Sequence, residues 1–312
     1  MPAHILYGLV RLIDADELHL SDERPNSLRL NCATFDTSLR SINPSEFPRY
    51  FNVSGGPSIR LAVGDMITGI NQVLFAISRD ESRPPLSGVL MAFSKKTLAL
   101  VGGDGYRIAE RKLELSVVAS AKDAWNVIVP GRALDELGSI LREETGEVEV
   151  LVRDPLTQIL FRAEETYLAS RVMEGPYPDY GQIVQTSSST VVRVPVAELD
   201  HRLRAAALIA GSDAGTVKLE TSDHGLILSA KGAQAGEIDS VAPATVRGPQ
   251  THVALNGHYL VQVLDVVGTE EVEIGLNGPR KPVVVRPFGR RDYLSVLLPV
   301  HPTTALTPSE RP

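Results

Sequence analysis

Four short β-branched runs, SIRLAVG (58–64), WNVIVP (125–130), TVVRVP (190–195) and THVALN (251–256), each pass directly into a segment with apolar residues at helical spacing. The stripes are Met66, Ile70, Leu74 and Ile77; Leu134, Leu137 and Leu141; Val196, Leu199, Leu203 and Ala207; and Leu260, Val263, Leu264 and Val267. Ile5, Leu6, Leu9 and Leu12 make a fifth at the start of the chain. Such spacing predicts amphipathic helices with one face turned to a core. Pro130 and Pro195 stand where a first helical turn tolerates a missing N–H, and Asn256 suits an N-cap. Strand-like alternation then follows at Glu17–Leu20, Glu147–Val150, Val217–Glu220 and Glu271–Ile274. Turn signals at Asp104-Gly105, Asp223-His224-Gly225 and Asn277-Gly278-Pro279 separate further strands.

The unit is therefore one strand, one helix and about three strands. Helices start near Pro2, Ala62, Pro130, Pro195 and Asn256, a step of roughly 60–70 residues that marks duplicated modules. The fold class is α+β, built from tandem modules that pair into domains. The first module lacks its leading strand and has no partner module before it, which reads as a truncated chain or a misplaced start codon. Punctuation at Asn52–Pro57 and Gly175–Thr190 supplies linker candidates. The predicted divisions are 1–54, 55–185, 186–301 and a small, polar, Pro-bearing tail over 302–312, expected to be disordered.

Composition narrows the class. With 43% apolar and 22% charged residues the chain is an ordinary globular protein of 312 residues. No apolar run approaches a membrane span, and no cationic segment precedes the first apolar stretch as a secretory signal requires. Cys32 is the only cysteine, which excludes an internal disulfide and a Cys-based metal cluster and fits a reducing cytoplasm. The 31 Lys and Arg against 38 Asp and Glu argue against a general basic coat, though not against a local basic surface.

Several strings, in order along the chain, resemble the bacterial sliding clamp family, the β subunit of DNA polymerase III. They are FAISRDESRPPLSGVL (75–90); Gly103 through Ala109; Pro176-Tyr177-Pro178-Asp179-Tyr180; Leu276 through Pro279 with Pro282-Val283-Val284; and Tyr293 through Pro299. The resemblance covers nearly the whole chain, from the middle of the family's first domain to the end of its third. It implies a clamp fold with sheets outside and helices lining an inner face. Two subunits of three domains would join head to tail around duplex DNA. Such a ring acts as a processivity factor without catalysis, cofactor or metal, through weak contacts that do not read sequence.

The resemblance further implies a pocket for short peptides of the polymerase III catalytic subunit, the clamp loader, other polymerases and repair proteins. Carried over by motif, it comprises Leu86, Gly105, Tyr106, Arg107, Ile108, Pro178, Ile183, Tyr259 and the strand Val296-Leu297-Leu298-Pro299-Val300. An apolar groove with one arginine suits a Leu/Phe-bearing peptide with an oriented polar group. Where the family often has basic residues after Pro-Asp-Tyr, this chain has Gly181 and Gln182. Its strand ends Leu298-Pro299-Val300 where the family has Met-Pro-Met, which should narrow the peptides accepted. A tail folding back from His301 is expected to compete weakly for the groove.

Arg11, Arg79, Arg132, Arg142, Arg202 and Arg204 are placed on the helices as candidates to face DNA, with Arg132 foremost. Asp135, Glu136, Glu198 and Asp200 share two of those segments, and the helix after Asn256 has no Lys or Arg. Leu208 and Ile209 match the apolar pair offered across the ring contact. Thr37 occupies the position of the family's aromatic on the opposing strand, with Phe35 two residues earlier on the same face. Lacking the N-terminal half of its first domain, the chain is expected to be mainly monomeric or aggregation-prone until that part is restored, and a homodimer when full length.

Rival readings have less behind them. Val101-Gly102-Gly103-Asp104-Gly105 lacks the Gly-Lys-Ser/Thr of a phosphate loop and reads as a tight turn. There is neither a His-Glu-x-x-His pair nor a Gly-x-Ser-x-Gly elbow, so an enzyme is disfavoured. A clamp-like peptide-binding module that closes no ring on DNA is the remaining alternative.

Overall fold

The computed structural model describes residues 3–22, 25–33, 35–46, 58–80, 82–119, 124–153, 156–184, 187–211, 215–232 and 234–300. The linker candidate at 52–57 and the tail from 301 lie outside the described residues. The chain divides into two compact units, 1–54 and 55–312.

The first unit holds α1 (Ala3–Leu12), β1 (His19–Ser21), β2 (Ser27–Cys32) and β3 (Phe35–Arg40). The strands form an antiparallel sheet in the order β1-β2-β3. Leu30 and Cys32 are buried on β2, but no residue of α1 is, so the stripe predicted over Ile5–Leu12 has no completed core beneath it.

The second unit repeats one plan four times. β4 (Ser58–Ala62) enters α2 (Val63–Leu74), followed by β5 (Gly88–Ser94), β6 (Thr97–Gly103), β7 (Arg107–Glu114) and the short β8 (Val117–Ala119). β9 (Trp125–Pro130) enters α3 (Gly131–Leu141), then β10 (Glu147–Arg153), β11 (Gln158–Ala163) and β12 (Thr166–Arg171). β13 (Thr190–Pro195) enters α4 (Val196–Ala210), then β14 (Thr216–Ser222), β15 (Gly225–Gly232), β16 (Gly236–Ala242) and β17 (Thr245–Arg247). β18 (His252–Asn256) enters α5 (Gly257–Val266), then β19 (Glu271–Leu276), β20 (Val283–Pro287) and β21 (Tyr293–Leu297).

All four strand-to-helix entries fall where the sequence predicts them. The two prolines, however, end their strands as N-caps instead of opening the helices. An extended N-cap backbone suits the fixed φ of proline, and its missing N–H is not one the helix needs. Asn256 caps α5 as predicted, its Oδ1 accepting from the N–H of His258 at 3.0 Å and of Tyr259 at 3.3 Å.

Module pairing is achieved by exchange. β4, which leads the first module, pairs with β10 of the second, while β9 pairs back onto β5. Likewise β13 pairs with β19, and β18 with β14. Each module thus completes its neighbour's sheet, and neither can bury its apolar face alone. β21 then pairs with β7, which makes one nine-stranded sheet, β17-β13-β19-β20-β21-β7-β6-β5-β9, across both halves.

Alternation sorts this sheet into two faces. Met91, Leu98, Leu100, Ala109 and Leu113 join the core with Met66, Ile70 and Val73 of α2. On the opposite face, Leu90, Val101 and Ile128 pack with Met173, Tyr177 and Tyr180, while Val284, Leu294 and Val296 pack with Ile183 and Val184. Those covering residues belong to the Gly175–Thr190 segment and its approach. From Gly175 to Val184 the predicted linker is therefore a strap laid over the sheet.

Candidate functional site

An apolar cavity lies beside the strap near the seam between β7 and β21. Its rim is the turn from β6 to β7, where Asp104 Oδ1 accepts from the backbone N–H of Tyr106 at 2.8 Å and of Arg107 at 3.0 Å. Gly105 sits at φ +93°, a region that penalises any Cβ. The turn leaves Tyr106 65% exposed, and its carbonyl accepts from the Leu298 N–H at 2.9 Å. The closing strand is thereby tied to the rim.

The cavity, of about 90 Å³, is lined by Leu86, Gly103, Gly105, Tyr106, Arg107, Ile108, Tyr177, Pro178, Asp179, Tyr180, Ile183, Val296 and Leu298. Most residues predicted for the pocket thus come together. The wall of Gly103, Tyr177, Asp179 and Tyr180 was not among them, although the Pro-Asp-Tyr string carried most of it. Tyr177 and Tyr180 meet edge to face with centroids 6.5 Å apart, and both also line a second cavity of about 440 Å³ beside Leu90, Ile128 and Met173. Burial, reinforced by Glu110, pushes the Tyr180 phenol up to about 12, so it remains a donor to Glu110 Oε1 at 3.4 Å near neutral pH. Gly181 and Gln182, which stand where the family often has basic residues, both bond Asp179, at 3.0 and 3.2 Å.

Four residues named with the pocket lie elsewhere. Leu297 alternates to the core face and is buried there, Pro299 follows Leu298 outside the cavity lining, and Val300 lines a neighbouring cleft. Tyr259 sits behind the wall, its ring centroid 4.2 Å from the Arg107 guanidinium. Arg107 itself is only 8% exposed. Its Nε donates to Asp104 Oδ2 at 3.0 Å, one terminal nitrogen to the Phe75 carbonyl at 2.7 Å, and the other to Gln262. A guanidinium so engaged has little left to orient a peptide, and its visible work is to fasten α2, the rim turn and α5 together.

The arginine candidates separate by partner. Arg132, in the first turn of α3, is exposed and makes no ion pair among the described residues. Arg202 pairs with Glu198, and Arg204 with both Asp200 and Asp265. Arg11 lies over the Tyr7 ring at 5.6 Å. Arg79, placed on a helix from sequence, lies in the loop after α2, because the helix stops at Leu74 and the predicted stripe overran it to Ile77. Arg142 is the C-cap of α3.

Of the ring-contact candidates, Phe35 and Thr37 share one face of β3, an edge strand of its sheet. Leu208 is 79% exposed near the end of α4, whereas Ile209 is half-buried. The helix end is drawn onto the sheet at Gly232, where an added Cβ would come within 2.0 Å of the Ile209 carbonyl oxygen. Gly232 lies on β15 of the four-stranded sheet β16-β15-β14-β18, of which β16 is a free edge with Val241 exposed on it.

Two family models match the chain: the DNA polymerase III beta subunit central domain over residues 60–179 and its C-terminal domain over 182–301. The chain is 27% identical over 302 residues to the beta sliding clamp of Staphylococcus aureus, covering 96% of this chain and 79% of that one. It superposes on the crystal structure of the Bacillus subtilis DNA polymerase sliding clamp with a TM-score of 0.87 at 23% identity, covering 96% and 78% of the two chains. The DNA polymerase III beta chain from Streptococcus pneumoniae gives 0.83 at 26% identity, with 96% and 80% covered.

Proposed function

The chain belongs to the DNA polymerase III beta-subunit family, the sliding clamps, and we propose that it serves replication as a non-catalytic processivity factor that encircles duplex DNA in the cytoplasm. The observation that carries this reading is a division of labour between faces within that family's fold. The second unit has helices against one face of its long sheet and an apolar cavity on the other. A tether needs both, one side to follow DNA without reading it and one to hold a partner.

In this reading 55–185 and 186–301 are the central and C-terminal clamp domains, each closed by its own strand exchange, and 1–54 is part of the first. The cavity takes the peptides of the polymerase III catalytic subunit, the clamp loader, other polymerases and repair proteins. The ring closes head to tail where the β3 edge, with Phe35 and Thr37, meets the β16 edge and Leu208 with Ile209 of a second copy. Edge strands with unpaired backbone groups support such pairing.

Retention on DNA tests the proposal. Clamp loaded on nicked circular DNA should stay bound at high salt and escape once that DNA is linearised. Equal loss from both forms, with peptide capture intact, would instead indicate a peptide-binding module that closes no ring.

Among the arginines, Arg132 is expected to matter most. Arg132→Gln should lower the slope of log K against log salt by about one for binding to a short duplex. Arg202→Gln should change it less, because Glu198 already offsets that charge. Equal slopes for Arg132→Gln and the unaltered protein would remove Arg132 from the DNA face.

A further inference from the structure

The short segment after β21 links two sites. Leu298 lines the apolar cavity, and Val300, whose N–H donates to the Ala254 carbonyl at 2.8 Å, lines a second cleft of about 470 Å³. Only Pro299 separates them, a span of about 7 Å if the chain there is extended. The cleft lies on the outer face of the four-stranded sheet, opposite α4 and α5, because Lys218 and Ala254 alternate with the core residues Leu219 and Val253. Its lining brings the cations Lys218, Lys231 and Arg280 together with His252, Ala254 and Val300. No carboxylate is among these residues. The neighbouring acids lie outside the lining: Glu220 pairs with Lys218, Glu237 with Lys231 at 2.9 Å, and Asp239 stands beside Lys231. Arg280 makes no ion pair among the described residues, and Lys281 follows it in the same exposed turn.

We propose that this cleft is a subsite for the acidic flank of a partner peptide whose apolar core occupies the cavity at Leu298. The inference rests on the peptide-pocket reading and adds a second, charge-selective contact to it. Continuity through Leu298-Pro299-Val300 places the flank, a lining of cations and small apolar groups selects carboxylates, and the position opposite the helices separates it from duplex DNA. Pairing across a few ångströms in one exposed cleft is weak individually, so its effect should be a gain on top of core binding.

Fluorescence anisotropy tests the proposal with a labelled Leu/Phe-bearing core peptide. The same core carries three Glu or three Gln residues at either end. Glu at one end should tighten binding about threefold to tenfold over Gln at low salt, and the gain should shrink as salt is added. The exposed double variant Lys218→Gln/Arg280→Gln should abolish the gain while binding the bare core as the unaltered protein does. A gain that survives in that variant, or no gain at either end, overturns the subsite while leaving the pocket intact. Failure of the bare core to bind removes the pocket reading and this inference with it. Displacement of the Glu-bearing peptide by short duplex DNA would reassign the cleft to nucleic acid.

Discussion

Replacing Arg107 with alanine is expected to lower the unfolding free energy of the second unit by about 3–5 kcal/mol, the usual penalty for leaving a buried ion-pair partner uncompensated. The loss falls on groups from separate elements. Asp104 keeps its two backbone donors but loses its charge partner, while the Phe75 carbonyl, Gln262 and the Tyr259 ring lose the contact that Arg107 makes to all three. For a unit of this size the midpoint of thermal unfolding should drop on the order of 10 °C. Trp125, the single tryptophan, stacks on Phe93 and reports the transition by fluorescence during urea unfolding. Arg107→Lys keeps the charge without the planar fork, so it should recover only part of the loss. A fall of less than about 1 kcal/mol for Arg107→Ala would show that the network around it is incidental.

The position of Arg107 also explains a limit of reading the chain by pattern. Periodicity located every strand-to-helix entry of the second unit, because β-branched runs followed by helical stripes are local signals. It could not disclose the exchange of β4 with β9 or of β13 with β18. A leading strand has the same alternation whichever sheet it completes, and only the long-range register decides. The same holds at the site. Arg107 and Ile108 are adjacent in sequence and both line the cavity, so a motif names both, while only geometry shows that the Arg107 guanidinium is turned to the junction with α2 and α5. Tyr177 was legible within its string as a family mark. Its part as a wall shared by two cavities depends on where the strap crosses the sheet.

Cavity substitutions should separate partner capture from attachment to DNA. Leu298→Asp places a carboxylate at the apolar lining, where an unpaired charge meets no donor suited to it, and binding of a Leu/Phe-bearing peptide should weaken at least about 30-fold. Tyr106→Ala removes an exposed aromatic from the rim and should cost about tenfold or more if that ring covers the bound peptide. Because Tyr106 is mostly solvent-facing and its backbone makes the contact to Leu298, the fold and thermal midpoint of that variant should stay as they are. Titration of a labelled peptide gives the affinities, and primer extension on a long template gives the consequence. Both variants should shorten the products made per binding event, yet rings placed on circular DNA should persist, since enclosure needs no contact at the cavity. Peptide affinities within twofold of the unaltered protein for both variants would move the partner site away from the strap. Short products accompanied by rapid loss from circular DNA would instead show that the changes act on ring closure, through the β7–β21 seam beneath the cavity.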